Sequence, residues 1–538
     1  MTIIARKPGG IPALTRRLDH AAPPLLLFRA LTDEGALPHT LLLESAEPES
    51  RRHQRSLLMV SAALAITCHR ESIVIEALKP NAAVLLHFLE RELFQFHPDL
   101  AGLSLRLTIP LPGPRNTDSE RFHATSALDI LRTITRLFRP AQTDLPESIL
   151  LAGLFSYDLA EHFEPLPAPR SPGQAIPHFR FYLADRLIIV DHLRGQTEII
   201  APVIGPDEGD AFDAAREAML DMTEAAGNLG FGPPSQPEER AVPLPGPDLP
   251  EVDQDDAGFA KLVNNLKHFI TRGDVFQIVP SRTFSLPCHD ALDSYERLRR
   301  LEPSPYLFFM NAGEFTLFGA SPESAVKVDG RTRSIELSPI AGTRPRGIGA
   351  DGAIDSELDT RFEAELRLDP KENAEHLMLV DLARNDVARI SRPGTRRVTE
   401  LLRVERFGRV MHLVSRVAGE LAPGLDALHA CQACFNLGTL TGAPKLRAMQ
   451  LLREHETDSR GHYGGAIGYL QSDGTLDTAI VIRAALVRDG IAYVRAGAGV
   501  VHDSVPEREA DETRQKASVV LRAIAESNAV ASMEAAHA

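Results

Sequence analysis

"DTAIVIRAALVRDGIAYVRAGAGVVHDSVPEREADETRQK", residues 477–516, reads as strand, turn, strand and helix. Two apolar runs flank "RDG", which has the composition of a tight antiparallel turn. A helix follows from Pro506, and acids in its first turn suit the positive end of the helix dipole. "SDG" at 472–474 joins "GAIGYL" to the first of these strands in the same way. Helical stretches such as "DAGFAKLVNNLKHFITRGD" and "PKLRAMQLLREHE" alternate with the hairpins. The pattern predicts an α+β fold with mostly antiparallel pairing.

The helix from Pro506 carries more acid than a first turn needs. At about 100° per residue, Glu509, Glu512 and Lys516 share one side, next to the apolar stripe of Ala517, Val520, Leu521 and Ile524. Glu507 and Asp511 point elsewhere. A second helix, in "DPKENAEHLMLVDLARND" (369–386), repeats the device: Glu372 and Glu375 share a face with Leu379, Leu382 and Ala383. Two carboxylates about 4 Å apart repel by about 4 kcal/mol at an effective dielectric near 20. Four inward acids therefore need a cation, raised pKa values or arginine partners. Oxygen-only ligation points to Mg²⁺, which takes one or two carboxylates plus water and substrate oxygens.

Other elements fit an anion. Arg483 interrupts an apolar strand on the face of Val481 and Ala485, and a half-buried guanidinium pairs either with a substrate anion or with an internal carboxylate. Gly497 and Gly499 allow close approach of backbone N–H groups. Tyr463 and His412 stand alone, and by spacing each is more often a satisfied core residue.

The chain has 538 residues, 43% hydrophobic and 24% charged, too many for one small core. A net charge of −15 argues against a nucleic-acid backbone as partner. No apolar run reaches the roughly 20 residues that span a bilayer, and the start lacks an apolar signal core, so a cytoplasmic protein without membrane contact is expected. Four cysteines make no disulfide framework, and the Cys431/Cys434 pair sits in a helical context. The Pro-rich stretch 230–258 reads as the main linker. It divides 1–240 from a motif-dense region, 241–527, with sheets shared between them and a frayed tail at 528–538.

The motifs together resemble the chorismate-utilising enzymes. The resemblance rests on "SPIAGTRPRG", the 369–386 stretch, "GTLTGAPKLRAMQLL", "YGGAIGYL", "DTAIVIRAALV" and "RAGAGVVHDSVPEREADET", and continues upstream through "LLLESAE" and "LAGLFSYDLAEHFEPLP". Within the family the chain is similar to the anthranilate synthase large subunits. The resemblance implies a large two-lobed α/β sandwich of antiparallel sheets with the site between them. It implies Mg²⁺ on Glu375 and Glu512, supported by Glu372 and Glu509. It places the substrate dicarboxylate, chorismate, against Arg483, Tyr463, Gly342, Thr343, Thr439 and the turn Gly497, Ala498 and Gly499, with Lys516 beside the metal-bound carboxylate. Glu323 matches the acid that protonates the departing hydroxyl, and His412 a histidine near the ring.

Two departures separate the branches. Gln277 stands where water-activating relatives carry lysine, and a neutral amide cannot deprotonate water. Ala341 stands in "PIAGT" where aminodeoxychorismate synthases resemble "PIKGT". Both favour amination to an aromatic product over isochorismate or aminodeoxychorismate synthesis. The chain carries no glutaminase nucleophile elbow, so a separate glutamine amidotransferase subunit in a hetero-oligomer is expected. "LLLESAE" and "PSPYLFF" match a feedback pocket for L-tryptophan, with Ser45, Pro305, Tyr306 and Leu307; Glu302 departs from the asparagine common there.

Overall fold

The structure is a computed structural model describing residues 10–45, 55–109, 118–171, 173–174, 176–229, 250–349, 353–408 and 410–537. Both predicted hairpins form. Ala484–Arg488 pairs antiparallel with Ile491–Gly497 across Asp489 and Gly490, whose φ values of 51° and 75° give the primed turn that matches strand twist. Ala466–Gln471 pairs with Leu476–Ile480 around Gly474.

Every named strand pair among the described residues is antiparallel, and all strands but Gln277–Ile278 and Gly442–Ala443 join one hydrogen-bonded network. The network crosses residue 240 twice. Tyr306–Asn311 lies between Thr40–Glu44 and Thr316–Ser321, and Ala466–Gln471 lies between Leu150–Phe155 and Leu476–Ile480.

Alternation along the strands divides the interior. Leu41, Phe308 and Leu486 enter a core between sheet faces with Met59, Tyr182 and Ile467. Their neighbours Leu42, Phe309 and Ala485 face outward, against Leu292, Tyr295 and Leu298 of one helix and Ala517, Val520 and Ile524 of another. Helices therefore cover the outside of a sheet sandwich. The α+β architecture expected from sequence is the one observed.

Two boundaries differ from the sequence reading. The linker's last part is structured: Glu251–Val252 pairs with Phe284 and Ser285, and a helix starts at Asp256 because Asp255 caps it at Gly258 N. Residues 230–249 lie outside the described part. The final helix, Pro506–His537, continues through the expected tail, with Ser527 and Ala529 buried. Cys431 and Cys434 lie buried in helix Ala427–Cys434, where burial pushes both thiols up.

Candidate active site

The two acidic helices meet at one place. Pro370–Ile390 begins there because Asp369 accepts hydrogen bonds from Lys371 N and Glu372 N, and Pro370 fits the first helical position. Burial raises the Glu375 carboxyl above the ordinary glutamate range; Lys371 opposes this, and Glu372, Glu512 and Glu509 add to it. Burial also raises Glu509, against a hydrogen bond with Ser504, and Glu512 adds. The acids predicted to converge thus sense one another across the gap between helices.

Three of the four acids have a cationic side chain nearby. Glu512 meets Lys516 Nζ at 2.7 Å, Glu372 meets Arg344 Nη1 at 3.4 Å, and Glu375 lies 3.9 Å from Lys371 Nζ. Among the described residues no three His, Cys, Asp or Glu side chains close into a metal cage. An oxygen-only set of facing carboxylates still fits Mg²⁺, which needs one or two of them and fills its other positions with water and substrate. The raised Glu375 and Glu509 mark the charge that such a cation would neutralise.

Around the acids stands the rest of the predicted set. Lys516 Nζ donates to Gly497 O at 3.0 Å, while 47% of its side chain stays accessible. A Cβ on Gly497 would lie 2.7 Å from Tyr463 Oη and from Pro280 O, and one on Gly499 would lie 2.9 Å from Gln277 Nε2. A Cβ on Gly342, whose φ is +75°, would lie 3.2 Å from Glu372 Oε2. Glycine is therefore the residue these approaches allow. In this turn the Ala498 N–H donates to Pro280 O at 3.1 Å.

Three polar groups here are buried in unusual environments. His412 Nδ1 lies 3.1 Å from Gly342 O and 3.0 Å from Thr343 Oγ1. A carbonyl only accepts, so Nδ1 carries the proton and Nε2, buried without a partner among the described residues, is a bare acceptor. Burial, with the Arg483 charge, lowers His412 to about 4 and keeps it neutral. Burial raises Glu323 to about 8, against a hydrogen bond from Thr439 Oγ1 at 3.3 Å, an Ile340 backbone bond and the Lys516 charge. Gln277 is buried, and its Oε1 has no partner among the described residues.

Arg483 completes the group, since its charge acts on both His412 and Lys516. Its guanidinium also pairs with Glu302, the internal carboxylate of one of the two sequence readings.

Some residues here were missed in the sequence. Buried Arg460 donates to Glu456 at 2.7 and 2.9 Å, to Leu440 O at 2.6 Å and to Val279 O at 2.5 Å, and covers the Tyr463 ring. It ties the 438–441 turn and the 277–281 segment to Tyr463. Removing one partner of such a buried pair costs about 3–5 kcal/mol. An isolated arginine before a glycine turn has no periodicity to reveal this. Lys445, in "GAPK", meets Asp386, in "ARND", at 2.6 Å, so those motifs are joined structurally.

The feedback candidates form a separate group. Leu307 pairs with Glu44, which places Ser45 at the end of the strand beside Tyr306 and buried Pro305. Ser45 Oγ is buried without a partner among the described residues. An open cavity of about 220 Å³ lies elsewhere, lined by Asp253, Thr283, Asp458, Arg460, His462 and Arg495. It contains none of the predicted site residues.

A family model described as chorismate binding enzyme matches residues 114–522. Anthranilate synthase component 1 of Vibrio cholerae is 46% identical over 524 residues, covering 96% of this chain and 97% of that protein. The component 1 of Escherichia coli is 48% identical over 507 residues, covering 93% and 94%. Among solved structures, anthranilate synthase component I from Streptococcus pneumoniae aligns with a TM-score of 0.64 at 27% identity, covering 88% of this chain and 94% of that one. The menaquinone-specific isochorismate synthase of Escherichia coli shares the fold, with a TM-score of 0.62 at 17% identity over 97% of each chain. Matched over most of its length, the chain belongs to the chorismate-binding enzymes and, within them, to the anthranilate synthase component 1 group.

Proposed function

We propose that the chain converts chorismate and ammonia to anthranilate and pyruvate, the first committed step of tryptophan biosynthesis. Near-full-length similarity to component 1 proteins carries this reading. Glu375 and Glu512, with Glu372 and Glu509 behind them, would hold Mg²⁺. That ion supplies positive charge to the ring carboxylate and to charge developing on it.

Arg483, Tyr463, Thr343 and the glycine turns orient the substrate. Ammonia adds at C2 as the ring double bonds shift. Glu323, protonated at neutral pH, gives its proton to the C4 hydroxyl, which leaves as water. The intermediate is aminodeoxyisochorismate. His412 Nε2 is the acceptor placed for ring-proton removal as pyruvate is eliminated. Gln277 cannot activate water, which supports amination over hydroxylation. Purified chain with chorismate, Mg²⁺ and ammonium should produce anthranilate fluorescence; a non-aromatic product would assign it to another branch.

The chain alone uses ammonium and not glutamine. Amide hydrolysis by a thiol requires an accessible, lowered thiolate, and burial pushes Cys68, Cys288, Cys431 and Cys434 upward. Glutamine supports product only after a component 2 amidotransferase is added. Glutamine-dependent product from the chain alone, with contaminating ammonia removed, would overturn this.

L-Tryptophan occupies the pocket at Ser45, Pro305, Tyr306 and Leu307, and favours a less active state. Support comes from the two motifs and from the unsatisfied Ser45 hydroxyl. Ser45→Phe should shift the tryptophan inhibition curve at least about ten-fold, equivalent to about 1.4 kcal/mol. An unshifted curve at fixed chorismate and Mg²⁺ would place the pocket elsewhere.

A further inference from the structure

Glu302 stands between the two groups just described. It ends helix Ala291–Leu301, where its backbone N–H bonds to Leu298 O. Its carboxylate pairs with Arg483 Nη1, and both side chains are largely enclosed, at 17% and 21% accessibility. Arg483 holds a left-handed backbone, φ 47°, uncommon for a side chain of its size. That conformation lies between strands Leu476–Ile480 and Ala484–Arg488 and is fixed by pairing on both sides, with Arg483 O accepting from Ala320 N at 3.1 Å. The arginine is therefore pinned by its backbone, independently of Glu302.

The other end of the same connection reaches the feedback group. On helix Ala291–Leu301, Tyr295 Oη donates to Glu44 Oε2 at 2.6 Å and Arg299 Nη2 lies 3.2 Å from Glu44 Oε1. Glu44 is buried and directly precedes Ser45. Downstream, Glu302 is three residues from Pro305. A ligand that moves or fixes Ser45 or the 305–307 segment thus acts on a rigid helix whose last residue grips the substrate arginine.

We propose that Glu302 is an internal competitor for Arg483: its carboxylate occupies the guanidinium that the substrate carboxylate needs, and helix Ala291–Leu301 couples this grip to the Ser45 pocket. The inference rests on the reading that Arg483 receives a carboxylate of chorismate. Glu302 takes Nη1 of that guanidinium, so a substrate carboxylate competes with it for this donor and for the charge. Occupancy of the feedback pocket that holds the helix end in place keeps Arg483 occupied and weakens chorismate binding. By linkage, chorismate weakens the inhibitor by the same factor.

The test compares initial-rate kinetics of wild type, Glu302→Gln and Arg483→Met, with chorismate binding followed by calorimetry in the absence of ammonium. If Glu302 covers Arg483 about nine tenths of the time, its removal lowers apparent Kd and KM about ten-fold with little change in kcat. Tryptophan should also lose most of its effect on KM in Glu302→Gln. A residue that merely positions Arg483 gives the opposite sign, a raised KM, and that result overturns the proposal. An unchanged KM does so equally. Arg483→Met separates the two levels: a large rise in KM supports the underlying substrate assignment, whereas an unaltered KM sinks that assignment itself. Should Glu302→Gln fail to fold, Glu302→Asp keeps the charge, withdraws it from the guanidinium and tests the same direction.

Discussion

Glu512→Gln lowers turnover by about a thousand-fold or more and leaves thermal unfolding nearly unchanged. Close to half of the Glu512 side chain is accessible, so the fold places little weight on its charge. The site places much more on it. Glu512 faces Glu375 across the two helices and lies one turn after Glu509 on its own, and the cation proposed there must hold a dianionic substrate. Stabilisation by such an ion is worth several kcal/mol, and about 4 kcal/mol corresponds to three decades of rate. The substitution also frees Lys516, which then keeps only its bond to Gly497 O among the contacts described for it above. Magnesium titration separates the two effects. Loss of metal binding by calorimetry, together with lost turnover, supports the metal role. Full activity at ordinary Mg²⁺ would remove Glu512 from it.

Glu323→Gln lowers kcat by about 10²–10⁴, the range for loss of a general acid. Wild-type activity should also fall on the alkaline side, through a pH near 8, as buried Glu323 loses its proton. That limb disappears in the variant. Stability follows the same sign. The folded chain keeps this proton to about pH 8, whereas an ordinary carboxyl releases it near 4.5. The folded state is therefore relatively favoured below the ordinary value and loses that advantage as pH rises toward 8. A shallower stability decline in Glu323→Gln over that window checks the link. An unchanged alkaline limb in the variant would assign the limb to another group.

How much of this was legible beforehand follows from what periodicity reports. The "RDG" hairpin and the paired acids at i and i+3 are local signals, and local geometry delivered both. Periodicity identifies a face but not what stands opposite it. Glu372 was read as inward, yet its partner Arg344 lies in a different element. Arg483 left two readings open because its carboxylate, Glu302, is distant in sequence. Backbone donors are less legible still: the glycine turn at 497–499 was visible, but the use of Ala498 N–H by Pro280 was not. The final helix ran past its expected end because Ala529 still packs, and "AVASMEAAHA" has no glycine or proline to stop it.

The interleaved sheet also bears on how the molecule is made. Thr40–Glu44 finds its strand neighbour Tyr306–Asn311 only when the ribosome has added about 260 more residues. At about 5–20 residues per second this is a wait of about 13–50 s. During that time one side of the three-leucine strand "TLLLE" is without its later partner. Cotranslational folding can pair sequence-adjacent strands as they emerge, but it cannot close the sandwich until late in synthesis. A pause engineered upstream of codon 306 should therefore lengthen this interval and raise the aggregated fraction.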